Sequence, residues 1–399
     1  MLISQIWLIL TGLALLIWLG LLLLWGNFWR SDQRLDATPT ADLPAPWPSV
    51  QAIIPARNEA PVIGTLIQSL AQQTYPGPLS ILLVDDQSDD GTAAIAQAAM
   101  AQSQSDRSLT ILTTPPLPKS WSGKLWALHQ GVQNCLSDSQ PDYFLLTDAD
   151  IYHAPDNLRS LVVKAEQEQL NLASLMVKLR CESFWERLLI PAFVFFFQML
   201  YPFPWVNDPN RKQAGAAGGC ILVRREALNQ AGGIEVVREA LIDDCSLAAA
   251  IKAIPSKAQP PSRWGRIWLG LATDTLSLRA YDTLDSIWNM VARTAFTQLS
   301  YSPLYLMGAV LGMVLVYLVA PLGLVVGLGL GQVPLIIAAT LGWGMMAIAY
   351  YPTVRLYKLS PLWALSLPII AFLYTLMTID SALRHWRGQG GAWKGRVYP

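Results

Sequence analysis

The stretch Ser80-Ile81-Leu82-Leu83-Val84-Asp85-Asp86-Gln87-Ser88-Asp89-Asp90-Gly91-Thr92 passes from an apolar run through four acids into a helical pattern that continues to Met100. A short apolar run without alternation, bounded by turn residues, fits a strand buried on both faces. The pattern repeats on either side. Upstream, Val50-Gln51-Ala52-Ile53-Ile54-Pro55 reads as a buried strand and Pro61 to Gln73 as a helix. Downstream, Leu109 to Leu112 is a short strand and Ser122 to Cys135 a helix. Tyr143 to Leu146 is a strand running into Thr147-Asp148-Ala149-Asp150. Strands alternating with helices imply an α/β fold with a Rossmann-like, mostly parallel sheet. Polar residues gather at the C-terminal ends of these strands, where open α/β sheets bind ligands.

Composition adds a membrane. Of 399 residues 53% are hydrophobic and 14% charged, and the mean hydropathy is +0.34. Those values fit a membrane protein with a soluble part. Lys plus Arg and Asp plus Glu both number 28, and no basic stripe exists, so a nucleic-acid partner is not expected. Cys135, Cys181, Cys220 and Cys245 include no CxxC pair, which argues against zinc or a disulfide framework. His129, His153 and His385 have no metal-ligand spacing.

The apolar run Ile6 to Trp25 has the roughly 20 residues needed to span a bilayer. Arg30 and Arg34 follow it, so residues 1–30 read as an uncleaved anchor with the next domain in the cytoplasm. A Pro-rich linker, Thr38 to Pro48, leads into a domain over residues 49–282. Inside that domain Phe184 to Trp205 is apolar but carries Glu186, Arg187, Pro191, Pro202 and Pro204. A crossing there would put Asp150 and Asp244 on opposite sides; if the two share a site, the segment (184–205) lies in the membrane interface. Residues 283–302 read as an interfacial amphipathic helix. Residues 303–380 hold three runs long enough to span, Leu304 to Leu328, Val333 to Tyr350 and Leu362 to Thr378. A basic tail, 381–399, closes the chain. Three crossings would put Arg355 and Lys358 on one side and the tail on the other, against the positive-inside rule.

Four polar elements carry chemistry. Asp85 and Asp86 end a strand, where carboxylates can accept from a uracil N–H or ribose hydroxyls; Asp89 and Asp90 read as turn and cap residues. Asp148 and Asp150 form a DxD at a buried strand end, costly unless a partner meets the charges. A divalent cation shared with phosphate oxygens meets that need. Ser122-Gly123-Lys124 opens a helix, so Lys124 can reach a diphosphate; an ordinary surface lysine is the alternative. Asp243 and Asp244 precede a helical run and read either as a cap or as a general base.

The order of these elements, IIPARNE, VDDQSDDGT, SGK, TDAD, a GG near RRE, then IDD, resembles family 2 glycosyltransferases of the GT-A fold over about Val50 to Arg293. The stretches QAGAAGGCILVRREAL, ALIDDCSLA and NMVARTAFTQLSYSPL look like the hopene-associated glycosyltransferases, and the closing WKGRVYP like membrane-bound members of the wider family. The resemblance implies an integral protein of the bacterial inner membrane, a nucleotide-sugar donor, a lipid or terpenoid acceptor, and Mg²⁺ or Mn²⁺. It implies that Pro55, Arg57 and Glu59 line the donor pocket and that Asp86 contacts uracil or ribose. It puts Asp150, with Asp148, on the metal and Lys124 near the diphosphate. Gly218 and Gly219 would floor the acceptor side, and Asp244 would be the base. Asp243 stands where the family usually has Glu. Processive members carry QxxRW; aligned on Arg293, this chain has Met290 and Thr294 instead of Gln and Trp. That departure argues against a polymer-translocating synthase, although Arg293 can still neutralise a leaving diphosphate. A nucleotidyltransferase would need a Gly-rich loop after its first strand, where PARNEAP stands. An inactive nucleotide-sugar-binding scaffold would be free to lose Asp150 or Asp244, and both are present.

Overall fold

The computed structural model describes residues 2–35, 43, 45–138, 140–254 and 265–388, and the backbone of 392–393 and 396–397. Most of the Pro-rich linker and of the WKGRVYP ending lies outside the described residues. The chain folds as two compact units, one of residues 32–180 and 203–279 and the other of residues 1–31, 181–202 and 280–399.

The first unit is α/β. Among the described residues its strands are β1 (Val50–Ala56), β2 (Leu79–Asp85), β3 (Leu109–Thr113), β4 (Tyr143–Thr147), β5 (Ile151–Tyr152), β6 (Leu172–Lys178), β7 (Cys220–Arg224) and β8 (Ile267–Ser277). They lie in the order β3-β2-β1-β4-β7-β6-β8-β5. The first four strands pair in parallel, as their alternation with helices implies, and β6 pairs in parallel with β8. The pairs β4–β7, β7–β6 and β8–β5 are antiparallel, so the sheet is mixed. Ala52, Ile53 and Ile54 of β1 are fully buried. Each of the two isoleucines contributes about 1.5–3 kcal/mol.

Two local features carry the acids into place. The helix Gly123–Asp138 lies close on the sheet at Gly131, where a Cβ would come within 2.7 Å of Ile53 Cγ2 and 3.0 Å of Val84 Cγ2. Ser122 opens this helix, its hydroxyl accepting the Leu125 N–H at 3.3 Å. The antiparallel pairing of β7 with β4 sets Cys220 opposite Thr147. The start of β7 therefore adjoins the end of β4, and Gly218 and Gly219 meet the DxD turn; a parallel β7 would have put them at the other end of the sheet.

The second unit is helical. Among the described residues, four of its helices, Leu2–Leu24, Pro303–Leu330, Val333–Leu356 and Pro361–Trp386, are long and apolar enough to cross a membrane. They expose large apolar side chains such as Ile9, Leu16, Leu23, Leu304, Leu311, Val325 and Ile369, as a lipid-facing surface does. The ambiguous run Phe184 to Trp205 is divided. Phe184–Leu200 is one helix of this unit, and Phe203–Asn207 is a separate short helix of the α/β unit. The longer helix packs on aromatic residues of its own unit, Phe195 against Phe28 and Tyr350, and Phe196 against Tyr317 and Tyr374. Its troublesome charge is a cap. Glu186 is fully buried and accepts the N–H groups of Glu182 and Ser183 at 2.8 and 2.9 Å and of Tyr281 at 2.8 Å. The amphipathic segment forms the helices Leu284–Ala292 and Ala295–Gln298. Trp288 Nε1 donates to Asp380 Oδ2 at 2.7 Å and the Phe296 N–H to Ser381 Oγ at 3.0 Å, so part of its apolar face is covered by helix Leu367–Trp386.

Candidate active site

The acids at the strand ends and helix starts of the α/β unit fall into three groups. The first holds Lys124, Asp148, Asp243 and Asp244. Lys124 Nζ lies 2.9 Å from Asp148 Oδ1 and 3.5 Å from Asp243 Oδ2. Burial opposes its charge, but Asp148 and Asp243 outweigh burial and hold the ammonium well above the ordinary lysine range. Burial pushes the Asp148 carboxyl up, with Lys124 working the other way. Asp243 and Asp244 start the helix Asp243–Lys252, where the helix dipole favours negative charge. Asp244 accepts the Gly218 N–H at 2.8 Å and the Cys245 N–H at 2.7 Å. Burial, then the neighbouring Asp243 charge, pushes its pKa up to about 6. A carboxylate tuned upward toward neutrality is suited to taking a proton.

Gly218 lets this group close. A Cβ there would sit 3.0 Å from Lys124 Nζ and 3.4 Å from Asp244 Oδ2. At Gly219 the obstacles would be Val177 and Ile151, at 3.1 and 3.3 Å. A partly open cleft in front of the group is lined on its apolar side by Leu125, Leu128, Ile234, Val237 and Leu247. Pro55 lines it too.

The second group holds Glu59, Asp150 and Arg279. Arg279 Nε donates to Asp150 Oδ2 at 2.8 Å, and its Nη2 to Glu59 Oε1 at 3.2 Å. Arg279 follows β8, and the pairing of β5 with β8 carries it to the DxD turn. Sequence reasoning missed it. The available signal was a charged residue just after a strand end, the same signal that marked the acids. The turn itself is held by a buried chain of hydrogen bonds. Asn157 Nδ2 lies 3.0 Å from His153 Nδ1, His153 Nε2 lies 2.9 Å from Thr147 Oγ1, and Thr147 Oγ1 donates to the Gly219 carbonyl at 2.9 Å. Burial pushes His153 down to about 3. With the ring neutral, donation by Asn157 leaves Nε2–H to donate to Thr147.

The acids after β2 take a third position. Asp86 is buried; Arg57 Nη1 donates to its carbonyl at 2.7 Å and lies 3.6 Å from its Oδ2. Asp85 faces its own turn, its carboxylate accepting the Ser88 N–H at 3.3 Å. Asp90 accepts from the Thr92 N–H at 3.0 Å and the Ala60 N–H at 2.9 Å, a capping role as read from the sequence. Arg293 is exposed at the end of helix Leu284–Ala292, in the helical unit.

Among the described residues no three or more His, Cys, Asp or Glu converge on a cation position. Asp148 and Asp150 each face a basic side chain instead, Lys124 and Arg279. Two carboxylates drawn to positive charge fit a cation whose remaining oxygen ligands come from a phosphate and water.

Residues 51–232 match the family model described as Glycosyl transferase family 2. This part of the chain is similar to family 2 glycosyltransferase domains. An N-acetylglucosaminyltransferase of Rhizobium leguminosarum bv. viciae is 33% identical over 141 residues, 35% of this chain and 31% of that protein. The 4,4'-diaponeurosporenoate glycosyltransferase of Staphylococcus haemolyticus is 32% identical over 103 residues, 26% of this chain and 24% of that protein. The matches thus span about a third or less of these relatives' lengths. The solved mannosyltransferase PcManGT from Pyrobaculum calidifontis, in complex with GDP-Man and Mn²⁺, aligns with a TM-score of 0.52 and 18% identity. That alignment covers 94% of this chain and 99% of PcManGT. It shows a GT-A-like α/β fold.

Proposed function

We propose that the protein is an inverting glycosyltransferase that moves a sugar from a nucleoside-diphosphate sugar to a hydroxyl of a membrane lipid or terpenoid. The observation that carries this reading is the group Asp244, Lys124 and Asp148 gathered on Gly218 within the glycosyltransferase domain. Asp244, raised toward neutrality yet held by two backbone N–H groups, takes the proton of the acceptor hydroxyl. The acceptor oxygen then bonds to the anomeric carbon as the bond to the nucleoside diphosphate breaks, in one inverting displacement. Lys124 sits on the Asp148 side of the group, placed to meet the departing diphosphate's charge. Asp86 with Arg57, and Pro55, form the nucleoside side. Asp148 and Asp150 would hold Mg²⁺ or Mn²⁺, which when bound offsets charge on the leaving diphosphate. PcManGT with GDP-Man and Mn²⁺ supports the donor class and the cation. Gly218 and Gly219 border the acceptor, and Arg293 is assigned to the leaving group on the sequence resemblance alone.

The helices among the described residues that are long and apolar enough to span support an acceptor drawn from the bilayer, while a bacterial inner-membrane site with the domain in the cytoplasm rests on the sequence resemblance and on Arg30 and Arg34 after the first apolar run. The relative named for diaponeurosporenoate supports a non-sugar acceptor. The stretches akin to hopene-associated glycosyltransferases make a hopanoid the first terpenoid to test. Full-length protein in lipid nanodiscs with Mn²⁺, a panel of UDP- and GDP-sugars and a total lipid extract tests the proposal. Lipid-dependent release of nucleoside diphosphate from one donor is expected. No release from any donor, with no donor-induced change in melting temperature, would refute it.

A further inference from the structure

Arg279 ties two acids that come from different parts of the sheet. Glu59 follows β1, Asp150 follows β4 and Arg279 follows β8. The Asp150 and Glu59 side chains are 10% and 11% exposed, whereas that of Arg279 is 40% exposed. The guanidinium therefore reaches inward from a solvated position and lays two of its donors on two buried carboxylates. Asp150 is held further at its backbone, its carbonyl accepting the Leu278 N–H at 2.7 Å, and Ser277 Oγ lies 3.5 Å from the same Oδ2. Asp150 is held by these contacts, and the more exposed arginine is the member placed to leave.

Arg279 takes an oxygen of the carboxylate assigned to the cation. A divalent cation binds a carboxylate oxygen at about 2.0–2.2 Å, and like charges repel in a partly buried site. The geometry points to Arg279 as a displaceable plug on the cation position. In the donor-free enzyme it neutralises Asp150 and Glu59, and it swings off Asp150 when the cation seats. This inference rests on the cation assignment made above. Its consequence is a coupling. The cation alone binds weakly, because it must displace an ion pair. A nucleoside diphosphate arriving with the cation gives Arg279 a new anionic partner, so the two ligands strengthen each other's binding. Arg279 is on this account a positioning residue, acting through Asp150.

The test is Mn²⁺ binding to full-length protein in nanodiscs, read from loss of the free-ion electron paramagnetic resonance signal, with and without UDP or GDP. Arg279→Met should bind Mn²⁺ alone roughly tenfold tighter than wild type, the effect expected when one competing charge-assisted hydrogen bond is removed. The gain in Mn²⁺ affinity on adding nucleotide should shrink in the same variant. Arg279→Lys keeps the charge but lacks the two-pronged reach, and should fall between the two; it also serves if the Met variant does not fold. Asp150→Asn should lose the site. Unchanged or weaker Mn²⁺ binding by both Arg279 variants, with Asp150→Asn still impaired, would overturn the plug and leave the cation assignment standing. Equal Mn²⁺ binding by wild type and Asp150→Asn, with and without nucleotide, would overturn both.

Discussion

Removing the Lys124 charge should move the pH dependence of transfer in the alkaline direction. In Lys124→Met the cation leaves while Asp148, Asp243 and Asp244 stay. Lys124 Nζ and Asp244 Oδ2 both lie within 3.4 Å of the point a Gly218 Cβ would occupy, so they are no more than about 7 Å apart. At that separation the attraction is about 2.4 kcal/mol for an effective dielectric of 20 and about 0.6 kcal/mol for 80. Divided by 1.36 kcal/mol per tenfold change, this raises the Asp244 carboxyl by about 0.4 to 1.7 above its present value of about 6. The sign follows from the charge: without the neighbouring cation the carboxylate is less favoured, so a higher pH is needed to deprotonate the base. The assay is kcat/KM for sugar transfer in nanodiscs from pH 5 to 9. The acid-side midpoint of Lys124→Met should lie alkaline of wild type by about one pH unit, on top of any loss in donor affinity. An unmoved midpoint, or one displaced to lower pH, would refute the electrostatic link between Lys124 and Asp244.

Gly218→Ala should lower kcat/KM at least tenfold with little change in melting temperature, because the three atoms nearest its Cβ would be Lys124 Nζ and two of Asp244; parallel activity and melting curves check this. His153 gives a stability signature. Its pKa falls from an unfolded value near 6.5 to about 3, so the unfolded chain binds more protons between those limits. Its contribution is full above about 6.5 and is lost as pH falls through that window. Wild-type melting temperature should drop between pH 7.5 and 5, and His153→Asn, though less stable at pH 7.5, should show a flatter dependence.

Much of the architecture was legible because buried strands write themselves as unbroken apolar runs. β1, β2 and β4 each end within two residues of the boundaries read from the sequence, and each is followed by the acids that mark the site. Asp148, Asp243 and Asp244 were visible for the same reason, since a charge at a buried strand end or helix start needs a partner. What was not legible depends on long-range pairing. Nothing local says that β7 runs antiparallel to β4, yet that pairing brings Gly218 and Gly219 to the DxD turn. Arg279 is brought to Asp150 by the β5–β8 pairing across more than a hundred residues. Glu186 is one of the features that left the run Phe184 to Trp205 ambiguous; in the fold its carboxylate is consumed by backbone N–H groups, which no hydropathy pattern records.

On the proposed function, Asp244 serves the chemistry and not the binding. Asp244→Asn keeps the shape and removes the base. With the donor found in the panel, nucleotide-sugar binding and single-turnover transfer to the lipid extract should be measured on the same nanodisc preparation. Donor affinity within a few-fold of wild type and transfer slowed by about 10² to 10⁴ is the predicted result. Transfer at the wild-type rate would contradict it.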